Sequence, residues 1–482
     1  MITELLGFSP DADPTIPGVL TDCVATVPSL RGMKGAPTPF STPLSALAAT
    51  CQGSAVVAKL DLTTRFFAGT AGQLYEAAVS TWASVSRAAT YTGGSTNRWR
   101  FAQFGNVSLA ANGADTIQAS VSSGPFSCIA GAPVATIVET VGNFVFGFNT
   151  SANPNGWQCA ALNGYNNWTL SVNVQGASGL LTATPGPILA GRRFGLNIIA
   201  YKKNSMYLGT YVGAPNIWEF DQIPGTAGAM SQESVVNVGT PENPKHIFMG
   251  EDNFYVYDGS RPVSIGNNRV ASFVFGQLLQ SRYYACCAVH DKKNFRVYFY
   301  YPVADSSLPD HCVVYNYRTD KWGQDNRQIE MSCDYVTPGI TYDSLGNLYS
   351  TYDSLPLVSY DSGFLSQTTT LPAVFDTTHT IKTLIGPSAS SSLTTGDYGN
   401  DFQITTLRRV KPRYLAAPAT AVLTNFFKMS EGDALTQDQQ ISIVNGKFDI
   451  LRDARWHRCQ IQMTGDWEAG AVAADFVQGS DE

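Results

Sequence analysis

This chain is short of charge: Asp, Glu, Lys and Arg make up 14% of its 482 residues, against about 25% in an average soluble domain. A charge-poor surface arises in sheet-rich proteins that turn Ser, Thr, Asn and Gln outward, and in subunits whose surface is covered by neighbours. What charge there is runs negative, 31 Lys and Arg against 38 Asp and Glu, so a basic footprint for nucleic acid is lacking. The densest basic stretch, Arg408, Arg409, Lys411 and Arg413, has the spacing of a solvated strand. No run of about 18 apolar residues exists, which excludes a membrane-spanning helix. The opening Met1-Ile2-Thr3-Glu4-Leu5-Leu6 has neither the basic n-region nor the apolar h-region of a signal peptide.

Recognisable catalytic patterns are equally scarce. There is no Gly-x-Ser-x-Gly elbow, no Walker loop, no His-Glu-x-x-His and no dinucleotide fingerprint. The five histidines, His246, His290, His311, His379 and His457, stand far apart, and none has a second metal ligand at helical or zinc-finger spacing. Asp11 and Asp13 form an Asp-x-Asp, but no loop glycine or third oxygen ligand follows in calcium-loop register. The nine cysteines include no Cys-x-x-Cys, which predicts free buried thiols in a reducing cytoplasm. Two glycosylation acceptor patterns, at Asn106 and Asn167, mean little without a secretion signal. The expectation is a chain with no catalytic residues, no metal site and no cofactor.

What is present is β-structure. Residues 1–50 are rich in Pro, Gly, Ser and Thr, and Pro10, Pro14, Pro17, Pro28, Pro37, Pro39 and Pro43 recur too often for helix or central strand. They predict an extended N-terminal arm without a core of its own, ordered by docking. Over 51–385, short apolar runs alternate with tight polar turns, and a turn ending in Gly or Asn before an apolar or aromatic strand recurs. It falls at Gly72, Gly113, Gly156, Asn204, Asn253, Asn294 and Asn347, at intervals of 41, 43, 48, 49, 41 and 53 residues. That is the spacing of four-stranded propeller blades, with Asn and Gly supplying positive φ at low cost. The prediction is an all-β, β-propeller-like body of about six to eight blades, with seven hairpin repeats as the best count. Residues 386–400, rich in Ser, Thr and Gly, read as a loop or linker, and 401–482 as a C-terminal β-domain or ring-closing strands.

Two terminal segments carry a resemblance. Leu6-Gly7-Phe8-Ser9-Pro10-Asp11-Ala12-Asp13-Pro14, Pro17-Gly18-Val19-Leu20-Thr21-Asp22-Cys23 and Gly32-Met33-Lys34-Gly35-Ala36-Pro37 resemble the N-terminal arm of structural proteins encoded among podophage head–tail genes. Gly446-Lys447-Phe448-Asp449, Ala454-Arg455-Trp456-His457-Arg458 and Gly465-Asp466-Trp467-Glu468 resemble their C-terminal β-segment. With the propeller-like middle, the chain looks like a tail tubular or nozzle protein of short-tailed bacteriophages. The resemblance implies a virion structural protein, assembled in the host cytoplasm. It also implies a homo-oligomeric ring, usually a hexamer, that conducts genomic DNA without sequence-specific binding and docks the head–tail adaptor and tail fibres. The alternative is a glycan-binding tailspike or fibre module, for which Trp99, Trp157, Trp168, Trp218 and Trp322 would supply sugar-stacking faces.

Overall fold

Strand follows strand through the computed structural model, which describes residues 2–336, 370–430 and 432–478; the predicted turn at Asn347 lies outside them. Among the described residues, helix is confined to the single turn Ala271–Phe275 and to the 3-10 segments Gln232–Ser234 and Gln280–Ala285. The body is a β-propeller. Blade 1 runs from Gly53–Ala58 to Trp82–Ser84, blade 2 from Arg100–Phe104 to Ser127–Cys128, and blade 3 from Ala135–Val141 to Ala177–Leu180. Blade 4 runs from Ala190–Phe194 to Ile217–Ile223 and blade 5 from Val235–Asn237 to Val263–Ser264. Each is a four-stranded antiparallel meander standing as its own sheet. The sixth such sheet is the last blade, built from Met331–Tyr335, Leu371–Phe375, Ile381–Ser388 and, as its outermost strand, Pro37–Ser41 from the N-terminal arm. Between blade 5 and the last blade sits a further meander, Cys287–Asp291, Arg296–Tyr301, His311–Asn316 and Lys321–Gln324, which opens a ten-stranded sheet. First strands of successive blades touch around the ring, the Gln232–Ser234 turn making the contact to blade 4, and the last blade meets blade 1.

The period-two pattern shows how each blade is held. In Arg296–Tyr301 every residue is buried, and the strand divides its side chains between two cores. Val297, Phe299 and Tyr301 join one apolar cluster, while Tyr298 and Tyr300 join the next. A strand sandwiched between neighbouring blades has no wet face, so it reads as continuous apolar sequence. Cys286 and Cys287 separate in the same way, into different clusters. All nine cysteines are free, and eight are buried; Cys128 departs from the expectation by being exposed.

The repeated turns lie between paired strands as the spacing predicts, with one shift. Gly72, Gly113, Asn204 and Asn253 connect the second and third strands of their blades, and Gly156 opens the third strand of blade 3. Asn294 instead connects the first and second strands of its meander. There the second-to-third connection spans 302–310, where the Asp310 carboxylate accepts the Val303 N–H and no Asn or Gly closes the turn.

Two readings of the termini need correction, and the structure decides between the two given for the C-terminal strands. The N-terminal arm is not an appendage docked on a finished body. Its last strand completes the last blade, where Pro37 and Pro39 sit on the sheet's outer edge and lack of an N–H costs nothing. Its earlier strands join the C-terminal ones in two facing sheets. One contains Thr26–Pro28, Met33–Gly35, Glu468–Gln478, Thr405–Ala416 and Phe448–Ala454, with Ile2–Glu4 beside Glu468–Gln478. The other contains Gly7–Phe8, Val19–Val24, Ser391–Thr395, Trp456–Thr464, Thr420–Lys428 and Thr436–Ser442. Leu5, Phe8, Leu20, Met33, Leu423 and Trp467 pack between them in a core continuous with the propeller's. The threading is tight: Gly18 has φ +89°, and a Cβ there would lie 2.0 Å from the Glu4 carbonyl oxygen.

The 386–400 stretch is likewise no linker. It contains the end of Ile381–Ser388 and all of Ser391–Thr395, every residue of which is buried. Its hydroxyls are absorbed as partners, Ser391 Oγ accepting from Trp467 Nε1 at 2.7 Å and Thr395 Oγ1 from the Cys459 N–H at 3.1 Å. Of the two readings of 401–482, the β-domain holds, built jointly with N-terminal strands, and the ring-closing one does not: the N-terminal arm closes the ring.

Candidate functional site

The first strand of each blade faces the axis, and several of these strands carry a charged side chain. Arg100 comes from blade 2, Glu139 from blade 3, Arg192 from blade 4, Glu233 from the turn leading into blade 5, and Asp334 from the last blade. His290 comes from the meander before it, with Lys292 just beyond its first strand.

Arg100 and Glu233 meet across the axis in a two-pronged ion pair, Nε–Oε1 2.8 Å and Nη2–Oε2 3.1 Å. The pair is largely buried, at 9% and 13% side-chain exposure. Burial works to raise the Glu233 carboxyl, but the Arg100 guanidinium overrides it and holds that group below the ordinary carboxylate range. Arg100 Nη1 also donates to the Thr136 carbonyl at 3.0 Å. Arg100 borders two cavities, so the pair stands where they meet. One, of about 520 Å³, is lined by Ser54, Arg192, His290, Ser332 and Asp334 among others. The other, of about 220 Å³, is lined by Asn97, Arg98, Ser231 and Tyr284 among others.

The other axial charges are matched more loosely. Arg192 Nη2 donates to the Gln232 carbonyl at 2.9 Å but stands 3.9 Å from Glu139. Lys292 stands 3.6 Å from Asp334. Burial therefore prevails at both acids and raises them, with Arg192 and Lys292 opposing. His290 binds the Tyr317 hydroxyl through Nε2 at 3.0 Å. Burial, helped by Lys292 and opposed by the Asn237 backbone, pushes its imidazole down to about 4, so it is neutral near pH 7. Among the described residues no three His, Cys, Asp or Glu side chains gather as metal ligands.

Because Arg100 and Glu233 are buried partners, removing one leaves the other's charge stranded. Arg100→Ala is expected to lose about 3 kcal/mol, while Arg100→Met combined with Glu233→Leu recovers most of it. Urea midpoints of the three proteins check this; equal losses in single and double variants would deny the coupling.

A third cavity, of about 460 Å³, lies off the axis and is lined by Pro185, Pro187, Leu189, Met230 and Tyr283 among others. Its rim is pinned by Lys202, a fully buried lysine whose ammonium donates to the carbonyls of Leu181 and Thr184 at 2.5 and 2.6 Å.

The five histidines do not converge. His246 lies between the Tyr201 hydroxyl and the Arg193 carbonyl, His311 beside Asp310, His379 against Glu330 and His457 against the Thr405 carbonyl. Asp11 caps the Ala271–Phe275 turn, accepting the Ser272 and Phe273 N–H groups at 2.6 and 2.8 Å. Asp13 accepts from Thr15. Arg409 pairs with Asp449 on a strand, as the spacing of the basic stretch predicts. Trp99, Trp157, Trp168, Trp218 and Trp322 are all buried core residues, so none offers a sugar-stacking face. The axial charges themselves went unnoticed in the sequence. Arg100, Glu139 and Asp334 are each the one charged residue of their strand, whereas Arg192 is followed by Arg193 and Glu233 lies in a turn.

No protein-family model and no curated protein matches this sequence. Among solved structures, YCF48 bound to a D1 peptide shares 13% identity over 62% of this chain and 86% of that chain, at a TM-score of 0.34. The computationally designed Ika8 protein shares 9% over 72% and 100%, at 0.38. YCF48 from Cyanidioschyzon merolae shares 12% over 62% and 92%, at 0.35.

Proposed function

We propose that this chain is a non-enzymatic structural subunit of a short-tailed bacteriophage tail, a nozzle or tail-tube protein below the head–tail adaptor. In this reading identical copies form a ring, a hexamer by family resemblance. The ring conducts the genome without reading its sequence and docks adaptor and fibres, in a virion tail assembled in the host cytoplasm.

One observation carries the reading: where the exposed apolar side chains lie. Single exposed apolar residues are ordinary on any surface. Here half of the large ones fall on the two-sheet terminal unit, which holds under a third of the described residues. Phe402 is 87% exposed, Leu451 72%, Ile2 64% and Val444 59%. Apolar surface of this kind is stabilised when a neighbouring subunit covers it. The same unit ends in strands with one open edge each, Thr436–Ser442 and Phe448–Ala454, which suits contact with another chain.

The purified protein at high micromolar concentration is expected to sediment as a closed oligomer and to show rings by negative-stain microscopy. Phe402→Asp with Leu451→Asp is expected to shift it to monomer while changing its melting free energy by under about 1 kcal/mol, because surface substitutions cost little. A wild-type chain that stays monomeric, or that hydrolyses host polysaccharide, would overturn the reading.

A further inference from the structure

The smaller axial chamber has in its wall a buried charge that the protein does not balance. Arg98 is 7% exposed and lines this cavity of about 220 Å³. Among the described residues it makes no ion pair, and its Nη1 reaches the carbonyls of Ser95 and Asn97 only at 3.3 and 3.5 Å, beyond the usual N–H···O length. Its guanidinium lies 5.5 Å from the centre of the Tyr284 ring. Other buried arginines are better served. Arg65, Arg100 and Arg327 each hold a carboxylate within 2.8 Å, and Arg296 gives its Nε–H to the Pro28 carbonyl at 2.6 Å. A buried charge without a partner is costly, so Arg98 calls for an anion from outside the chain.

What lies beside the chamber says which kind of anion. Leu189, Met230 and Tyr283 line both this chamber and the off-axis cavity of about 460 Å³, so the two meet along those side chains. Away from that seam the off-axis cavity is walled by Pro185, Gly186 and Pro187. Its volume falls in the range of small-molecule pockets, roughly 300–1,000 Å³. No Asp or Glu lines either cavity. Their two other cations are already neutralised, Arg100 by Glu233 at 2.8 Å and Lys203 by Glu251 at 2.5 Å. One uncompensated positive charge therefore stands at one end, with apolar walls at the other. Met230 at the seam is unbranched and adapts to the shape of an occupant. A metal cation finds no carboxylate here, and a neutral apolar molecule leaves Arg98 unpaired. We infer that the two cavities form one binding site for a small amphipathic carboxylate. Its carboxyl group pairs with Arg98, and its apolar body lies against Pro185, Pro187, Met230 and Tyr283. Such a site is independent of the ring-assembly reading and would stand if that reading fell.

Titration of the whole protein with sodium octanoate, followed by calorimetry, is expected to saturate. Octanamide, of the same shape without the charge, binds about tenfold more weakly, as loss of a charge-assisted hydrogen bond would. Acetate, which lacks the apolar body, also binds more weakly than octanoate. Arg98→Gln abolishes the preference for octanoate over octanamide; Arg409→Gln, on a distant exposed ion pair, keeps it. Should Arg98→Gln fail to fold, Tyr283→Ser, at a side chain 38% exposed, keeps the test open, with weaker octanoate binding on an intact propeller. A free acid and a peptide terminus share this chemistry, and N-acetyl-leucyl-leucine titrated beside octanoate tells them apart, the tighter binder naming the source. Crystals grown with bromine-tagged octanoate are expected to show an anomalous peak in the off-axis cavity. Octanoate binding that never saturates would overturn the site. Equal affinities for octanoate and octanamide in the wild type, or bromine found only outside the two cavities, would do the same.

Discussion

A chain begun at Thr42 is expected to yield no cooperatively folded protein. The truncation strips the outermost strand from the last blade, baring the edge of Ile381–Ser388 with the buried Ile381 and Leu384. It also removes Leu5, Phe8, Leu20, Cys23 and Met33 from the core shared by propeller and terminal sheets. Each fully buried apolar side chain contributes about 1.5–3 kcal/mol, so these five alone rival a typical total stability of about 5–15 kcal/mol. Further ties go with them. Arg296 Nε donates to the Pro28 carbonyl at 2.6 Å, and Glu468 is held by Ser29 and Arg31. An arm ordered only by docking, as its composition predicts, would leave a folded body behind when removed. A melt of the truncated chain followed by circular dichroism decides between them: a broad or absent transition is expected, and a single sharp one would restore the docked arm.

Acid should unfold the propeller through His246. The side chain is fully buried, Nε2 donating to the Arg193 carbonyl at 3.0 Å and Nδ1 accepting from the Tyr201 hydroxyl at 2.7 Å. Burial, with the nearby Arg192 charge adding, pushes the imidazole down to about 3, although its bond to the Arg193 carbonyl works the other way. A base whose pKa is depressed by folding takes up protons more readily when unfolded. Its contribution is therefore complete above the unfolded value of about 6.5 and is lost as pH falls from there to about 3. The span corresponds to on the order of 5 kcal/mol. His290 and His457, also lowered mainly by burial, act in the same direction. Asp325 and Glu330, which burial raises, act against it. Comparison with His246→Gln isolates the term. The variant should be less stable at pH 7.5, and the gap should narrow as urea midpoints are followed down to pH 4. Parallel curves would show that His246 does not titrate on unfolding.

The ring was legible because propeller turns repeat locally. Gly or Asn before an aromatic strand marks one hairpin at a time, and five of the predicted turns fall at corresponding places in successive blades. Legibility ends where local chemistry and environment part. Ser391–Thr395 has the composition of a loop, but it is covered on both faces, and a buried hydroxyl with a partner is as acceptable in a strand as an apolar group. The proline-rich arm failed for a related reason. Its strands are only two to six residues long and gain their core from segments hundreds of positions away. The axial charges are the extreme case. Arg100 and Glu233 are 133 residues apart, and nothing in either neighbourhood announces the other.

The pairing of Ile2 with Ala473 sets an order of events for biosynthesis. Ile2–Glu4 finds its partner only in Glu468–Gln478, far along the chain. At about 5–20 residues per second, the arm waits on the order of 20–90 s with Leu5, Phe8 and Leu20 uncovered. Blades 1 to 5 can form meanwhile, each from contiguous sequence. The last blade lacks only a strand already made, but the sheet that holds Ile2–Glu4 stays incomplete until Glu468–Gln478 has emerged. A chain that stops short of Glu468–Gln478 therefore carries a nearly complete ring with Ile2–Glu4 sticky and unpaired, so that one strand is a checkpoint on segments made long before it.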